Sequence, residues 1–328
     1  MSIIKHYNWP KPIIAVSKCI EFDACRYNGD RLNNKIVKIL MGHVEFVPVC
    51  PEVEIGLGVP RETIRLVNAK NGIRLMEPAT GNDYTDRMVS FADLFSQNNQ
   101  NIDGFILKSR SPSCGIYGVK VYPSIEKSPV AFGDKGLFTS KIKELLPGIP
   151  AEEEGRLTNA EIREHFLTSI YTIAHFRGLK RDLSKRKLIE FHTRHKLLFM
   201  MYNQSAMRDM GRLLGHMKDQ TLKETAIIYF QNLLRVFAKK PSKKSASNVL
   251  MHAMGYFSKQ LSSSEKKHFL KHLDEFVKRH TPISVLNGIL GSWINRFNED
   301  YLSKQSFFKP FPEELIIPIN SSKGRAID

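Results

Sequence analysis

The sequence predicts an α/β N-terminal domain with a mostly parallel, Rossmann-like sheet, followed by an all-α helical bundle domain. Three observations lead to this fold class. The first half alternates short β-branched runs with stretches of helical apolar spacing. A segment rich in proline, glycine and glutamate, 146–157, is typical of a linker, and strand-like runs nearly vanish after it. We therefore predict two domains, residues 1–150 and 151–328.

In the first half, short apolar runs bounded by turn residues predict the strands, and helical periodicity predicts the helices. Because strands that alternate with helices form crossover units, these strands are expected to run parallel. The predicted strands are IIAVSKC (13–19), VEFVPVC (44–50), DGFILKS (103–109) and GVKVYP (118–123), with a hairpin formed by 64–68 and 72–77. The predicted helices cover 35–42, 84–99 and 136–146.

The second half is predicted to be helical. Apolar residues recur at helical spacing in one segment after another, and Ser262 stands three residues before Glu265, as in a capping box. A basic loop is expected at 238–248. The predicted helices cover 159–179, 182–203, 205–218, 221–239, 245–259, 263–279 and 283–298.

The composition is that of a globular protein, with 42% hydrophobic and 25% charged residues. The apolar runs fall far short of the roughly 20 residues that a membrane-spanning helix needs. The first residues, MSIIKHYNWPKP, contain neither a long apolar core nor a small-residue cleavage site, so no signal peptide is expected. We predict a cytoplasmic protein without a membrane partner, and the oligomeric state stays open.

The net charge of +16 is concentrated in the second half. Residues 1–150 contain 19 basic and 15 acidic side chains, whereas residues 151–328 contain 30 and 18. An excess of this size favours a polyanionic partner, most simply a nucleic acid. A lysine-rich helical surface without such a partner is the alternative.

The four cysteines are too few for a disulfide scaffold in a chain of 328 residues. Cys19, Cys50 and Cys114 each follow a predicted strand, and the carboxyl ends of parallel strands border one crevice. Their wide separation in sequence excludes a local zinc knuckle or a CxxC redox motif. A zinc site, an iron–sulfur cluster and three unconnected buried thiols all remain open at this point.

The residues around the thiols favour a ligand site. Cys50 lies between prolines in PVCPEVEIGLGVPRE (48–62), where glycines allow the backbone to approach a ligand closely. SPSCG (111–115) adds hydroxyl and backbone N–H groups around Cys114, and CRYNG (25–29) has the composition of a turn.

Three of these segments resemble the thiouracil desulfidase family: SKCIEFDACRYNG, VPVCPEVEIGLGVPRETIRLV and LKSRSPSCGIYGVKVY. The stretches LIEFHTRHKLLFMMYNQSAMRDMGRLL and NVLMHAMGYFSKQLSSSEKKHFL are similar to the helical domain often fused to that family. The resemblance implies a [4Fe–4S] cluster held by Cys19, Cys50 and Cys114, with one iron open. The role of Cys25 stays open, because related sequences often have valine there. Two-domain members are associated with removing sulfur from 4-thiouridine in tRNA.

The resemblance further implies a hydrolysis without net redox change, in which the thiocarbonyl sulfur binds the open iron and water attacks the ring carbon. Glu52 is the predicted proton-handling residue, Glu54 is a weaker alternative, and a structural ion pair with Arg61 or Arg110 is the competing interpretation of Glu52. Ser111 and Ser113 are expected to bond this base or to hold the water, unless they only cap their loop. The predicted substrate-binding residues are Arg26, Tyr27, Arg61 and Arg110.

In the helical half, His192 and His195 lack an HExxH context, so packing or contact with phosphate is expected instead of metal binding. The predicted RNA-binding residues are Arg194, Lys196, Lys239, Lys240, Lys243 and Lys244. Two other functions stay open: a desulfidase of free thiolated pyrimidine bases or nucleosides, and a non-catalytic RNA-binding protein with structural zinc.

Overall fold

The computed structural model describes residues 7–126, 131–133, 135–216 and 221–316, and the chain divides into two compact units. The α/β unit comprises 11–174 with 314–316, and the helical unit comprises 7–10 with 175–313. The predicted fold class is confirmed. The division of the chain into domains at residues 150 and 151 stays a prediction.

The elements follow the predicted order. The strands are β1 (Ile13–Ser17), β2 (Glu45–Val49), β3 (Arg65–Ala69), β4 (Gly72–Met76), β5 (Gly104–Leu107), β6 (Lys120–Tyr122), β7 (Ala131–Phe132) and β8 (Ala151–Glu153). The helices are α1 (Lys35–Leu40), α2 (Pro51–Glu54), α3 (Thr85–Asn98), α4 (Leu137–Leu145), α5 (Ala160–Leu179), α6 (Lys185–Tyr202), α7 (Gln204–Gly215), α8 (Leu222–Val236), α9 (Lys243–Gly255), α10 (Ser263–Val277), α11 (Ile283–Phe297) and α12 (Asp300–Ser303).

The main sheet is parallel, with the strand order β2-β1-β5-β8. The chain passes from β1 to β2 on one side and later returns to β5 on the other side of β1. In an open α/β sheet such a reversal of strand order opens a crevice at the carboxyl ends of the strands. The loops that follow β1, β2 and β5 therefore meet at one edge of the sheet.

Helices cover both faces of this sheet. Side chains alternate between the faces of a strand. Ala15 and Phe105 belong to the hydrophobic core that α3 and α4 complete. The neighbouring residue Gly104 lies against α5, where an added Cβ would stand 2.7 Å from Ile170 Cγ2. The glycine therefore allows α5 to approach the sheet closely.

The predicted hairpin is confirmed, but it belongs to a second sheet. β3 and β4 pair antiparallel, and this sheet has the order β4-β3-β6-β7. The interpretation of 146–157 as a linker is wrong for Ala151–Glu153, which form the parallel edge strand β8 beside β5. The three glutamates at 152–154 are buried. Glu153 and Glu154 accept hydrogen bonds from the loop after β5, and Glu152 accepts from Arg156.

The helical unit is built from α6 to α12 around one hydrophobic core, together with the last turns of α5. Ser262 forms the predicted capping box with Glu265 at the start of α10. The predicted basic loop at 238–248 is wrong at its second half. Ser242 caps α9, so Lys243 and Lys244 lie in the first helical turn.

A chain of hydrogen bonds crosses the interior of the helical unit. His175 Nε2 lies 2.5 Å from Tyr7 Oη, His175 Nδ1 lies 2.8 Å from His195 Nε2, and His195 Nδ1 lies 2.7 Å from Ser306 Oγ. His195 is fully buried, so packing is its role and the alternative of phosphate contact is wrong. His192 bonds the buried Tyr229 hydroxyl at 3.0 Å.

Within the described ranges, no helix is long and apolar enough to cross a membrane.

Candidate active site

All four thiols lie in the α/β unit, and three of them follow the carboxyl ends of parallel strands, as predicted. Cys19 follows β1, Cys50 directly follows β2 as the N-cap of α2, and Cys114 lies in the loop after β5. The cysteines are free, and their exposed fractions are only 3–9%. The fold therefore gathers thiols from distant parts of the chain at the carboxyl edge of the main sheet.

Cys25 lies between two of these thiols. Its carbonyl oxygen lies 3.9 Å from Cys50 Sγ, and the neighbouring Cys19 thiol is the main cause that raises the pKa of Cys25 to about 11. The neighbouring Cys25 thiol, followed by burial, raises the pKa of Cys50. Burial is the main cause that raises the pKa of Cys114, and the charges of Glu52 and Cys50 add to it. A metal must therefore displace protons to bind here, because the thiolate is the ligating form.

The Glu52 carboxylate is the polar centre of the site. Its Oε1 accepts hydrogen bonds from Ser113 Oγ at 3.0 Å and from Ser111 Oγ at 3.4 Å. Its Oε2 accepts from Arg61 Nε at 3.0 Å and from Arg61 Nη2 at 2.5 Å. The predicted bond between the serines and this residue and the predicted pairing with Arg61 are thus both present. Its catalytic role stays a prediction.

Arg61 connects the loops of the site. Its side chain is only 5% exposed, and Nη1 donates to the carbonyl oxygens of Cys25 and Gly58, each at 3.0 Å. The Arg61 backbone N–H also donates to the Tyr27 carbonyl at 2.8 Å. One guanidinium therefore fixes the loop after β1, the loop after α2 and the Glu52 carboxylate.

The loop that carries Cys114 is held from inside by Ser111. Ser111 Oγ accepts from the backbone N–H groups of Ser113 at 3.2 Å and Cys114 at 3.1 Å while its hydroxyl donates to Glu52. Both predicted alternatives, loop capping and a bond to the base, therefore hold for this residue. Ser113 is fully buried and donates to Glu52.

The amino end of α4 holds the same loop from outside, which sequence reasoning missed. Thr139 Oγ1 donates to the Cys114 carbonyl at 2.7 Å, and the Gly136 N–H donates to the Gly115 carbonyl at 2.8 Å. A Cβ at Gly136 would lie 2.4 Å from the Ser113 carbonyl oxygen. The sequence signal is a glycine at the first position of a predicted helix, and only the fold shows what it approaches.

Two buried glutamates also position this loop and were missed because they stood in a supposed linker. Glu154 accepts from Lys108 Nζ at 2.7 Å and from the Ser109 N–H at 2.7 Å. Glu153 accepts from the backbone N–H groups of Ile116 at 2.8 Å and Tyr117 at 3.0 Å. The signal in the sequence was three consecutive carboxylates directly after a predicted α/β domain.

The remaining predicted residues lie at the surface of the α/β unit. Arg26 pairs with Asp30 at 3.4 Å, and Tyr27 is 45% exposed beneath the Arg26 guanidinium. Arg110 is exposed and has a left-handed φ of 58°, and Glu54 is exposed at the end of α2. Substrate contact by these residues stays a prediction.

The predicted RNA-binding residues of the helical unit differ in their surroundings. Arg194 is half-buried with its guanidinium 3.8 Å from the Tyr7 ring centroid, and burial lowers its pKa. Lys243 Nζ lies 3.8 Å from the Phe276 ring centroid. The exposed members of the set are Lys196, Lys239, Lys240 and Lys244.

Among the described residues, no group of three or more His, Cys, Asp or Glu side chains is arranged to hold a metal ion. The side chains that could bind a metal at the sheet edge are nevertheless all of one chemical kind. They are four free, buried thiols, and soft sulfur ligands of this kind suit iron–sulfur clusters. The residues present therefore fit such a cluster.

Comparison with known proteins finds one family model in the first half of the chain and another in the second half. The model of the 2-thiouracil desulfurase family matches residues 14–154, and that of a protein of unknown function, DUF1722, matches residues 196–312. The uncharacterized protein YbbK of Bacillus subtilis (strain 168) is 32% identical over 110 residues, which are 31% of this chain and 73% of YbbK. This chain belongs to the 2-thiouracil desulfurase family. The membership confirms the resemblance and the predicted enzyme class, a desulfidase of thiopyrimidines.

Two further relatives cover similar shares of the chain. The uncharacterized protein YbgA of Escherichia coli (strain K12) is 24% identical over 151 residues, which are 45% of this chain and 89% of YbgA. The solved structure of a [4Fe-4S]-dependent thiouracil desulfidase, TudS, is 27% identical and covers 45% of this chain and 93% of that chain, with a TM-score of 0.35. In this desulfurase family member, the family match ends at residue 154, directly after β8.

Proposed function

We propose that this protein is a [4Fe–4S]-dependent desulfidase that removes sulfur from 4-thiouridine in tRNA and leaves uridine. The observation that carries the proposal is the meeting of buried thiols with the Glu52–Arg61–serine cluster at one sheet edge, in a member of the 2-thiouracil desulfurase family. Cys19, Cys50 and Cys114 would hold the cluster. When bound, the cluster would supply an open iron that acts as a Lewis acid toward the thiocarbonyl sulfur.

The protein's own contribution is the placement of a proton acceptor. Glu52 Oε1 would take the proton of the water that attacks the ring carbon. Arg61 holds Oε2 with two N–H groups, so the orientation of the carboxylate is fixed before substrate arrives. Ser113 donates its only hydroxyl proton to Oε1, which adds a second fixed contact to the carboxylate.

The helical unit supports an RNA substrate through its charge. Residues 181–280 contain 21 basic and 8 acidic side chains. Exposed lysines of such a surface bind phosphates and position an RNA without reading its sequence. A stacked base must turn outward before chemistry on its ring, and firm binding of the surrounding RNA lowers the cost of exposing it.

The test compares two substrates on one preparation. Full-length protein is purified and reconstituted anaerobically, and loss of sulfur is followed from intact 4-thiouridine tRNA and from free 4-thiouridine at equal concentrations. We expect a much higher kcat/KM for tRNA, and loss of about 100-fold or more of the activity in Glu52→Gln. Equal or faster turnover of the free nucleoside would refute the tRNA substrate.

Metal analysis of the same preparation tests the cofactor separately. We expect iron and acid-labile sulfide in near-equal amounts and a brown colour. Stoichiometric zinc in a colourless protein that binds tRNA would contradict the desulfidase and support the alternative of a structural zinc protein.

A further inference from the structure

Cys25 is buried beside the other thiols and held by specific contacts. Its side chain is 3% exposed, and the neighbouring thiols of Cys19 and Cys50 act on its pKa. Its carbonyl oxygen accepts from Arg61 Nη1 at 3.0 Å and lies 3.9 Å from Cys50 Sγ. Contacts of its backbone carbonyl with Arg61 and Cys50 therefore hold this fourth cysteine in place.

The same guanidinium ties Cys25 to the proton-handling group. Arg61 uses Nη1 for the Cys25 carbonyl and uses Nε and Nη2 for Glu52 Oε2. Cys25 thus lies next to two of the three proposed ligands. The Arg61 guanidinium connects its carbonyl to the Glu52 carboxylate. A thiolate is a better ligand for iron than water, so a thiol in this place competes for an iron that has no other protein ligand.

We propose that Cys25 is an exchangeable fourth ligand, which occupies the open iron while no substrate is bound and is displaced by the thiocarbonyl sulfur. This inference rests on the proposed cluster. Ligation releases the thiol proton to water, and displacement by a neutral thiocarbonyl returns a proton to the Cys25 sulfur. No electron is transferred in either direction. The exchange keeps the site open to substrate and protects the fourth iron in its absence.

The test measures retention of the fourth iron instead of turnover. Wild type, Cys25→Val and Cys25→Ser are reconstituted anaerobically as full chains, and their iron and sulfide contents are matched. Ferricyanide is then added in small steps, and loss of one iron is followed by the electron paramagnetic resonance signal of the resulting [3Fe–4S] cluster. We expect Cys25→Val to lose the iron about tenfold faster than wild type or more, with Cys25→Ser between them.

A matched control separates ligation from packing. Ile20→Val shortens a fully buried side chain of the same loop and leaves every thiol in place, so it is expected to lose iron at the wild-type rate. A second readout is the visible spectrum during titration with 2-thiouracil under anaerobic conditions. Cys25→Val should reach its end point at a lower 2-thiouracil concentration, because no thiolate has to leave.

Three other results would overturn the inference about Cys25, and one of them would also overturn the proposed function. Equal rates of iron loss in wild type and Cys25→Val would overturn the inference and leave the proposed function intact. Failure of both Cys25 variants to hold four irons, with folding retained in their circular dichroism spectra, would make Cys25 an obligatory ligand and would also overturn it. A wild-type protein that takes up no cluster would overturn the proposed function together with this inference.

Discussion

At the scale of single residues, the two site serines have separable roles. The contribution of the Ser113 hydroxyl is its donation to Glu52, so Ser113→Ala should keep the cluster colour and the stability and lower kcat on 4-thiouridine tRNA by about 10- to 100-fold. Ser111 also accepts two backbone N–H groups. Ser111→Ala should therefore destabilise the α/β unit by about 1–3 kcal/mol as well. Turnover, visible absorbance and urea unfolding of each variant measure the three effects.

Arg61 provides a second prediction at this scale. A lysine presents one ammonium and cannot reproduce the fork that reaches Glu52, Cys25 and Gly58. Arg61→Lys should lower kcat by about 100-fold because the carboxylate loses its fixed orientation. Arg74→Lys is the control, because Arg74 pairs with Asp83 in the second sheet. Similar kcat values for the two variants would mean that Arg61 does not orient the site.

At the scale of elements, the contact between α4 and the Cys114 loop determines how the site is held. Gly136 has an ordinary φ of −64°, so alanine is excluded only by the 2.4 Å approach of its Cβ to the Ser113 carbonyl oxygen. Gly136→Ala should displace the loop, cost about 1–3 kcal/mol of stability and reduce the iron content after reconstitution. Urea unfolding and iron analysis measure both effects.

Gly155→Ala is the matched control for this substitution. Gly155 also precedes a helical turn with an ordinary φ, of −71°, and an added Cβ there meets nothing within 4 Å. It should leave iron content and stability unchanged. Equal behaviour of the two glycine variants would mean that the α4 contact does not position Cys114.

The strands of the main sheet differ in how clearly the sequence predicts them. β1, β2 and β5 could be predicted because each is a short apolar run that ends in a polar loop, and their parallel order brings Cys19 and Cys50 to one edge. β8 could not be predicted, because Glu153 at its end and Glu154 directly after it accept from backbone N–H groups that are distant in sequence. Pairing over such distances leaves no periodic signal, and a run of carboxylates is usually solvated.

The sequence also does not show that the predicted loop at 238–248 ends where α9 begins, at Lys243. A run of lysines and serines is hydrophilic in a loop and in the first turn of a helix, and only the capping bond of Ser242 separates the two. The proximity of Cys25 to Cys19 and Cys50 was likewise beyond sequence reasoning, because it depends on the path of the loop between β1 and α1.

At the scale of the whole molecule, the buried histidines make the helical unit sensitive to acid. Burial lowers the pKa of His175 to about 3 and lowers that of His195 well below its usual value. The unfolded chain binds these protons near pH 6.5 and the folded chain does not, so stability is greatest above that pH and falls as the pH decreases toward 3. Between pH 7.5 and 5, each imidazole should cost about 2 kcal/mol at most.

Tryptophan fluorescence reports this effect selectively, because the two tryptophans, Trp9 and Trp293, both lie in the helical unit. Urea midpoints of the full chain should fall between pH 7.5 and 5, and the fall should be smaller in His175→Gln, which removes one titrating ring. A midpoint that is independent of pH in wild type would contradict the proposed protonation states.

The charge of the molecule leads to a final prediction about RNA. Each lysine that neutralises a phosphate releases a counterion, so removing one contact makes the slope of log affinity against log salt shallower by about 1. Lys239 and Lys244 are exposed, whereas Lys243 stands over the Phe276 ring. Lys239→Gln and Lys244→Gln should therefore each reduce the slope for tRNA. Lys243→Gln should leave the slope unchanged and lower stability by about 0.5–1 kcal/mol, because it removes the cation–π contact. The slopes are measured by filter binding between low and moderate salt. If all three variants keep the wild-type slope, the RNA binds another surface.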